Sequence, residues 1–254
     1  MRLRTAACVL AITGLTAGCA GNGLNMDGLT SGAGKMFAAY NMSDAEIKTL
    51  SDQACAEADK DNKPAAKGSK YDARLQKIVQ PISQPLNGVQ PNFKVYQVQE
   101  VNAWAMANGC IRVYAGLMDK MTDAEVRGVI AHEMAHVDMG HSKSAMQTAY
   151  TVSAARELAA STGNAAVTAL TASQAGDLAE KFINAQYSQK QETQADNYAY
   201  DLLKSKNMNP EALVTAFNKL AALDGGGSSS MLSSHPASGD RAANIQARIN
   251  ADKK

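Results

Sequence analysis

The chain has 254 residues, enough for one sizeable hydrophobic core. Its formal net charge of +1 is close to neutral and gives no indication of a nucleic-acid partner or a strongly anionic one. Aromatic residues make up only 5% of the sequence and alanine is abundant, a composition that disfavours an all-β protein and predicts a mainly helical one.

The N-terminus has the features of an export signal. Two arginines precede an apolar stretch at residues 6–16, which has the length of a signal's hydrophobic region and is too short to span a bilayer. The stretch leads into Leu15-Thr16-Ala17-Gly18-Cys19, which resembles the lipobox of bacterial lipoproteins, although Thr16 replaces the usual leucine. In such proteins the cysteine is acylated, with palmitate among the acyl groups, and becomes the mature N-terminus. The alternative is an ordinary cleaved signal that contains a cysteine by chance.

The predicted organisation follows from this resemblance. Residues 1–18 are a lipoprotein signal peptide, residues 19–42 are a tether rich in Gly, Asn, Ser and Met, and residues 43–254 are one domain. Ala20 follows Cys19 where inner-membrane lipoproteins of enteric bacteria carry aspartate. The resemblance therefore implies an outer-membrane lipoprotein that faces the periplasm and contacts the membrane through its N-terminal lipid.

The cysteine count predicts one disulfide bond. Of the four cysteines, Cys8 leaves with the signal and Cys19 takes the lipid, so Cys55 and Cys110 remain. Two cysteines in an oxidising compartment predict a bond between them, which would stabilise the fold by about 4 kcal/mol through its long loop. Two buried free thiols are the alternative.

The first half of the domain is predicted to contain two helices and a small sheet. A capping box at residues 43–46 predicts a helix toward Asp59, and an apolar stripe predicts another over residues 71–82. Alternating apolar residues at 93–101 predict a strand, and the Asn108-Gly109 turn precedes a second strand at 110–114. We expect these segments to form a small antiparallel sheet in a mainly helical α+β domain.

The second half is predicted to be helical. Thr122 and Glu125 form a second capping box, and Gly140 can end the helix that it opens. Further helices are predicted at residues 143–160, 177–206, 210–223 and 238–251, and the glycine–serine run at 225–230 is predicted to be a flexible loop.

The helix opened by Thr122 carries His132-Glu133-Met134-Ala135-His136, a candidate zinc site. Residues four apart lie on one helical face, so the two histidines can present their imidazoles to one ion. Zinc suits this ligand type, and a catalytic zinc keeps one coordination position open. Glu133 lies beside the pair and is the candidate general base that takes a proton from the attacking water.

A third ligand is predicted downstream. Glu192 and Asp196 lie four residues apart on the helix predicted at 177–206. Glu192 as a ligand and Asp196 as the acceptor of a histidine N–H would complete the site. On spacing alone the signal is modest, because this pattern is common on exposed helices.

Several passages together resemble the HtpX/Oma-like family of gluzincin zinc metallopeptidases. The HEMAH motif is followed by Glu192-x-x-Ala195-Asp196, as in that family. The block from Asn102 to Leu117 resembles its edge strand and hairpin, and His235-Pro236 with Arg241 matches its C-terminal element. The similarity covers residues 43–249 and is greatest to small bacterial lipoprotein members. Gln194 replaces a frequent family glutamate, which leaves Glu192 as the clearer ligand.

The resemblance implies a zincin fold, with helices around the HEMAH helix and a small sheet beside the active site. It also implies one Zn²⁺ per chain, and an edge strand at Asn102, Ala103, Trp104 and Ala105 that pairs with an extended substrate. His235 is either structural or reaches the metal and holds a latent state. Arg241 either stabilises an oxyanion, binds substrate backbone or forms a surface salt bridge.

The function predicted from these residues and the resemblance is zinc-dependent cleavage of internal peptide bonds in unfolded or damaged envelope proteins. Its partners would be unfolded polypeptides, and an envelope protein partner is not identifiable. One rival is a lipoprotein with a mostly closed zinc site that acts as a chaperone or assembly factor. Another is a purely structural zinc protein, which Glu133 disfavours because that residue would then have no task.

Overall fold

The computed structural model of the protein describes residues 41–158, 170–224, 231–235 and 239–253. The predicted signal, Cys19, nearly all of the tether and the loop at 225–230 lie outside these residues. The elements, in chain order, are α1 (Asp44–Asp61), α2 (Lys70–Val79), β1 (Asn92–Tyr96), β2 (Ala103–Ala105), β3 (Cys110–Tyr114), α3 (Ala115–Lys120), α4 (Asp123–Asp138), α5 (His141–Leu158), α6 (Ala172–Ile183), α7 (Gln189–Ser205), α8 (Glu211–Asp224), α9 (Met231–Ser234) and α10 (Gly239–Asp252). The predicted mainly helical fold is confirmed.

Both predicted capping boxes start helices. Ser43 and Glu46 exchange side-chain and backbone hydrogen bonds at the start of α1, and Thr122 and Glu125 do the same at α4. Gly140 follows α4 with a φ of 74°, a conformation that glycine adopts without strain.

The single helix predicted over residues 177–206 is wrong, because the structure has two helices there. α6 ends at Ile183, and α7 begins at Gln189 after a capping box of its own, formed by Ser188 and Gln191. A serine followed three residues later by glutamine satisfies the free N–H groups of a new helix, so the chain turns at residues 184–188.

The sheet is mixed rather than antiparallel throughout. Its strand order is β1-β3-β2, in which β1 runs parallel to β3 and β2 runs antiparallel to it. The predicted strand at 93–101 ends at Tyr96, and Val101 is buried without belonging to a strand. The apolar residues at 93–101 alternate because alternate side chains are buried. Burial of side chains does not require hydrogen bonds to a neighbouring strand. The hairpin is instead β2–β3, joined through Gly109 at a φ of 79°.

α4 lies at the centre of the domain. It packs against α7, α8 and β2, and 12 of its 16 residues are buried. One apolar cluster surrounds α4 and includes the inward side chains of the sheet, while a second joins α1, α6 and the other face of the sheet. None of the helices in the described ranges is long and apolar enough to cross a membrane.

α1 is fastened to the central strand by a disulfide bond and a buried ion pair. The structure joins Cys55 to Cys110, in agreement with the cysteine count. Next to the bond, Nε of the buried Arg112 lies 2.7 Å from Asp59 Oδ1, which also accepts a hydrogen bond from Tyr96. Burial alone would raise the pKa of Asp59, but Arg112 and Lys94 outweigh it and hold the pKa below its usual value. Arg112 was not anticipated from the sequence.

Candidate metal centre

Four buried side chains meet at the centre of the domain. His132 and His136 on α4, Glu192 on α7 and His235 after α9 place one ligand-type atom each within 4.8 Å of one another. The two α4 imidazoles have their Nε2 atoms 3.1 Å apart, and each Nε2 lies 3.4 Å from an oxygen of Glu192. The i, i+4 spacing on α4 and the first turn of α7 therefore bring the predicted residues together.

The chemistry of this group fits a zinc ion. Two imidazoles and a carboxylate form a ligand set typical of catalytic zinc. Burial lowers the pKa of His136 well below its ordinary value, so the imidazole stays neutral, which is the form that binds metal. Glu192 Oε2 is buried and makes no well-aligned hydrogen bond among the described residues, and its one cationic neighbour, Arg241 Nη1 at 2.8 Å, leaves a lone pair for an ion.

Burial alone would raise the pKa of Glu192. The neighbouring His235 and His132 outweigh this effect and bring the pKa below its usual range. The carboxylate is therefore ionised at neutral pH and available as a metal ligand.

Asp196 and Arg241 form a second layer around the group. Asp196 Oδ1 lies 2.9 Å from His132 Nδ1, so this carboxylate can fix the imidazole with Nε2 toward the centre. Arg241 contacts Asp196 through Nε at 2.8 Å and Glu192 through Nη1 at 2.8 Å, and its guanidinium stacks on Phe217. The surface salt bridge considered for Arg241 is thus wrong, because the side chain is buried.

Glu133 lies beside the group without belonging to it. Its side chain is 1% exposed, and Oε1 lies 3.4 Å from His235 Nε2 with no hydrogen-bond partner among the described residues. Burial raises the pKa of Glu133 to about 7, with Glu192 adding to the shift and His235 opposing it. A carboxylate with this pKa can exchange a proton near neutral pH.

His235 occupies the side of the group that faces Glu133. Its Nδ1 lies 3.0 Å from Glu192 Oε1 and 3.3 Å from His132 Nε2, so the structure places it at the centre rather than in a remote structural role. Pro236 of the same element lies outside the described residues.

The predicted edge strand lies at the border of the sheet. β2 pairs with β3 on one side, and in the described structure its other side has no strand partner. On that side Ala105 O accepts a 2.7 Å hydrogen bond from Ser142, and Ala103 N–H donates to Asn102 Oδ1. Trp104 instead packs in the cluster with α1, 5.9 Å from the ring of Tyr96. The remaining edge groups, Ala103 C=O and Ala105 N–H, have no hydrogen bond within the described ranges.

Sequence reasoning missed Tyr187. Its ring stacks on His136 with centroids 3.8 Å apart and an interplanar angle of 20°, and its N–H donates to Ser234 O beside His235. Tyr187 lies in the break between α6 and α7, so the capping box at Ser188 would have been the signal to find it. His141 is not part of the four-residue group, but its Nδ1 lies 3.1 Å from His136 Nδ1 and can orient that ring.

Comparison with known proteins gives a consistent assignment. The model of "Peptidase family M48" matches residues 69–249. The chain is 47% identical to Metalloprotease LoiP of Escherichia coli (strain K12), in an alignment that covers 99% of each chain. It is 43% identical to Metalloprotease YcaL of the same organism, over 94% of each chain. Protease HtpX of Actinobacillus pleuropneumoniae serotype 5b (strain L20) is 39% identical over 24% of this chain and 23% of its own.

Proposed function

This chain belongs to peptidase family M48 and is a zinc metallopeptidase, and we propose that it cleaves internal peptide bonds in unfolded or damaged proteins of the bacterial envelope. The observation that carries the proposal is the buried group of His132, His136 and Glu192, with the carboxylate of Glu133 directly beside it. A structural zinc site would have no use for that carboxylate.

In the proposed mechanism His132, His136 and Glu192 hold the zinc. When bound, zinc acts as a Lewis acid toward the substrate carbonyl and the attacking water. Glu133 accepts the proton of that water and delivers it to the amine that leaves. Asp196 keeps the His132 ring in its orientation, and Arg241 holds Asp196 and Glu192 in place.

The outer edge of β2, which has no strand partner among the described residues, supports an extended polypeptide as substrate. Its three residues are at most 3% exposed and Ser142 of α5 bonds to it, so the side chains that cover this edge must move aside before a strand is added. Ala103 C=O and Ala105 N–H point away from β3, and an added strand can bond to both of them. Such pairing reads backbone rather than side chains and needs a chain that is already unfolded. Folded proteins do not present a free extended segment of this kind.

We expect the purified protein to cleave a reduced and unfolded model protein while sparing the same protein in its folded form. Digestion is followed by gel electrophoresis, and the fragments are mapped by mass spectrometry. Chelation of zinc should stop cleavage and re-addition should restore it. Equal cleavage of both forms would contradict the preference for unfolded chains.

Attachment to the outer membrane is part of the proposal. The lipobox-like residues before Cys19 support it, and the disulfide between Cys55 and Cys110 is consistent with an oxidising compartment. A Cys19→Ser variant should lose labelling by a palmitate analogue and move from the membrane to the soluble envelope fraction. Retention of the label by this variant would refute lipidation at Cys19.

The position of His235 supports a latent resting state. This imidazole lies against Glu192 and Glu133, in the space that the attacking water would need between the metal and the proposed general base. Displacing it would open the centre, and only a minor open population is then available for substrate to capture. The same closure favours a second candidate function, that of a chaperone or assembly factor with little turnover.

His235→Ala is expected to raise the rate of peptide cleavage several-fold, with zinc content unchanged. The reason is that the variant no longer fills the side of the centre facing Glu133. Ser233→Ala, an exposed change on α9, is the matched control. A fall in activity with metal retained would instead assign His235 to transition-state stabilisation. Absence of cleavage in both wild type and variant would favour the chaperone.

A further inference from the structure

A cavity of about 560 Å³ lies between α5 and α6, immediately next to the metal centre. His141 and Tyr187 line its inner end, and the rings of both pack on His136, at centroid distances of 5.1 and 3.8 Å. The inner end is therefore separated from the metal group by one layer of side chains. We call this cavity the α5–α6 groove.

The groove is long enough for a stretch of extended chain. On α5 its lining runs from His141 to Val152, a distance of about 16 Å at the rise of an α-helix. An extended polypeptide covers this length with about five residues. The groove is therefore long enough to hold about five residues of extended chain beside the centre.

The α5 wall of the groove offers an apolar surface. Ala145, Ala149 and Val152 line it, and Val152 is 47% exposed. Val152 and Met139 are the large apolar side chains most exposed within the described ranges. Small side chains next to an uncovered valine leave room for apolar side chains of a bound peptide.

The α6 wall gives the groove a net negative charge. Asp177 and Glu180 line it, and neither forms an ion pair with a described residue, while Lys181 is the one lysine or arginine among the described lining residues. On α5 itself Lys143 is paired with Asp44, and on the neighbouring α1 Lys60 is paired with Glu57. The charges therefore favour a ligand with basic side chains.

The remaining lining groups suit a peptide backbone. The hydroxyls of Ser144 and Thr148 donate to backbone carbonyls one turn earlier and keep lone pairs that can accept from N–H groups of a bound chain. The side-chain amide nitrogens of Asn184, Gln186 and Gln191 can donate to its carbonyls. Backbone binding of this kind tolerates many sequences.

We propose that the α5–α6 groove binds an extended substrate segment, next to the scissile bond, that carries apolar and basic side chains. The inference rests on the proposed peptidase function and narrows its substrate class. It predicts that the groove makes contacts with an unfolded substrate in addition to the hydrogen bonds made by β2. It also predicts that acidic substrate segments bind the groove more weakly.

The test measures peptide binding to the zinc-loaded Glu133→Gln protein by fluorescence anisotropy, so that cleavage does not interfere. Two labelled peptides share an apolar framework and carry either lysines or glutamates. The basic peptide is expected to bind about five- to tenfold more tightly at low salt, and the difference should shrink as salt is added.

Asp177→Lys with Glu180→Lys should reverse this preference. Asp201→Lys with Glu211→Lys, on α7 and α8, makes the same change in charge outside the groove and should leave the preference intact. Thr148→Trp should weaken both peptides by filling the groove, and Thr148→Ser should weaken neither.

Unfolding curves and zinc content establish that each variant is folded. If Thr148→Trp fails to fold, the variant with Asp177→Lys and Glu180→Lys still tests whether the groove sets the charge preference. If that variant leaves the preference unchanged while wild type cleaves an unfolded protein, the groove proposal is wrong and the proposed function stands. If wild type binds zinc and the peptides but cleaves nothing, the proposed function fails separately.

Discussion

Glu133→Gln is expected to lower turnover by a factor of about 10² to 10⁴, which is the usual contribution of a general base, while zinc content stays at the wild-type level. Glutamine has the size of glutamate and fits the same buried position, but its amide does not take up a proton from water. Glu133 contributes no atom to the group formed by His132, His136, Glu192 and His235, so the ligand set is preserved.

This prediction is checked by cleavage of an unfolded model protein together with elemental analysis for zinc. Asp138→Asn is the matched control, since it replaces a carboxylate at the end of the same helix, outside the metal group, where the amide oxygen can still accept the bond from Asn87 N–H. Wild-type turnover in the Gln variant would rule out Glu133 as the base. Loss of zinc would show that its charge holds the metal.

The parts of the site that could be predicted are those that local chemistry determines. A capping box defines where α4 begins, and the i, i+4 spacing then places His132 and His136 on one face whatever surrounds the helix. The same argument places Glu192 and Asp196 together on α7. Neither conclusion needs knowledge of how the helices pack.

Features that depend on contacts far apart in sequence were not predictable in this way. The parallel pairing of β1 with β3 requires a crossover through residues 97–109, and no local pattern announces it. In the sequence Arg112 is a charged residue in an otherwise apolar strand with no apparent partner. Its partner, Asp59, lies on α1 and is brought beside it only by the fold. The stacking of Tyr187 on His136 likewise depends on the turn before α7. The periodicity of apolar residues over 177–206 gave no sign of that turn.

A graded loss of zinc is expected from changes to the metal group. His132→Ala and His136→Ala should lose both zinc and activity, and Glu192→Ala should weaken binding strongly. Each removes one of three proposed ligands from a fully buried centre, where no water-exposed side chain can take its place. Asp196→Asn should weaken zinc binding less, by about 10- to 100-fold, because it removes no ligand and alters only the shared partner of His132 Nδ1 and Arg241.

Competition with a chelator of known affinity gives the zinc dissociation constant of each variant, and thermal unfolding shows whether it is folded. Glu192→Gln is included because Glu192→Ala also leaves Arg241 without one of its carboxylate partners. His235→Ala is the decisive comparison. If the proposed ligand set is right, it keeps zinc far better than Glu192→Ala, since His235 only covers the centre. If His235→Ala instead bound zinc more weakly than Glu192→Ala, His235 would be a permanent ligand. The resting state would then be a closed structural site rather than a latent catalytic one.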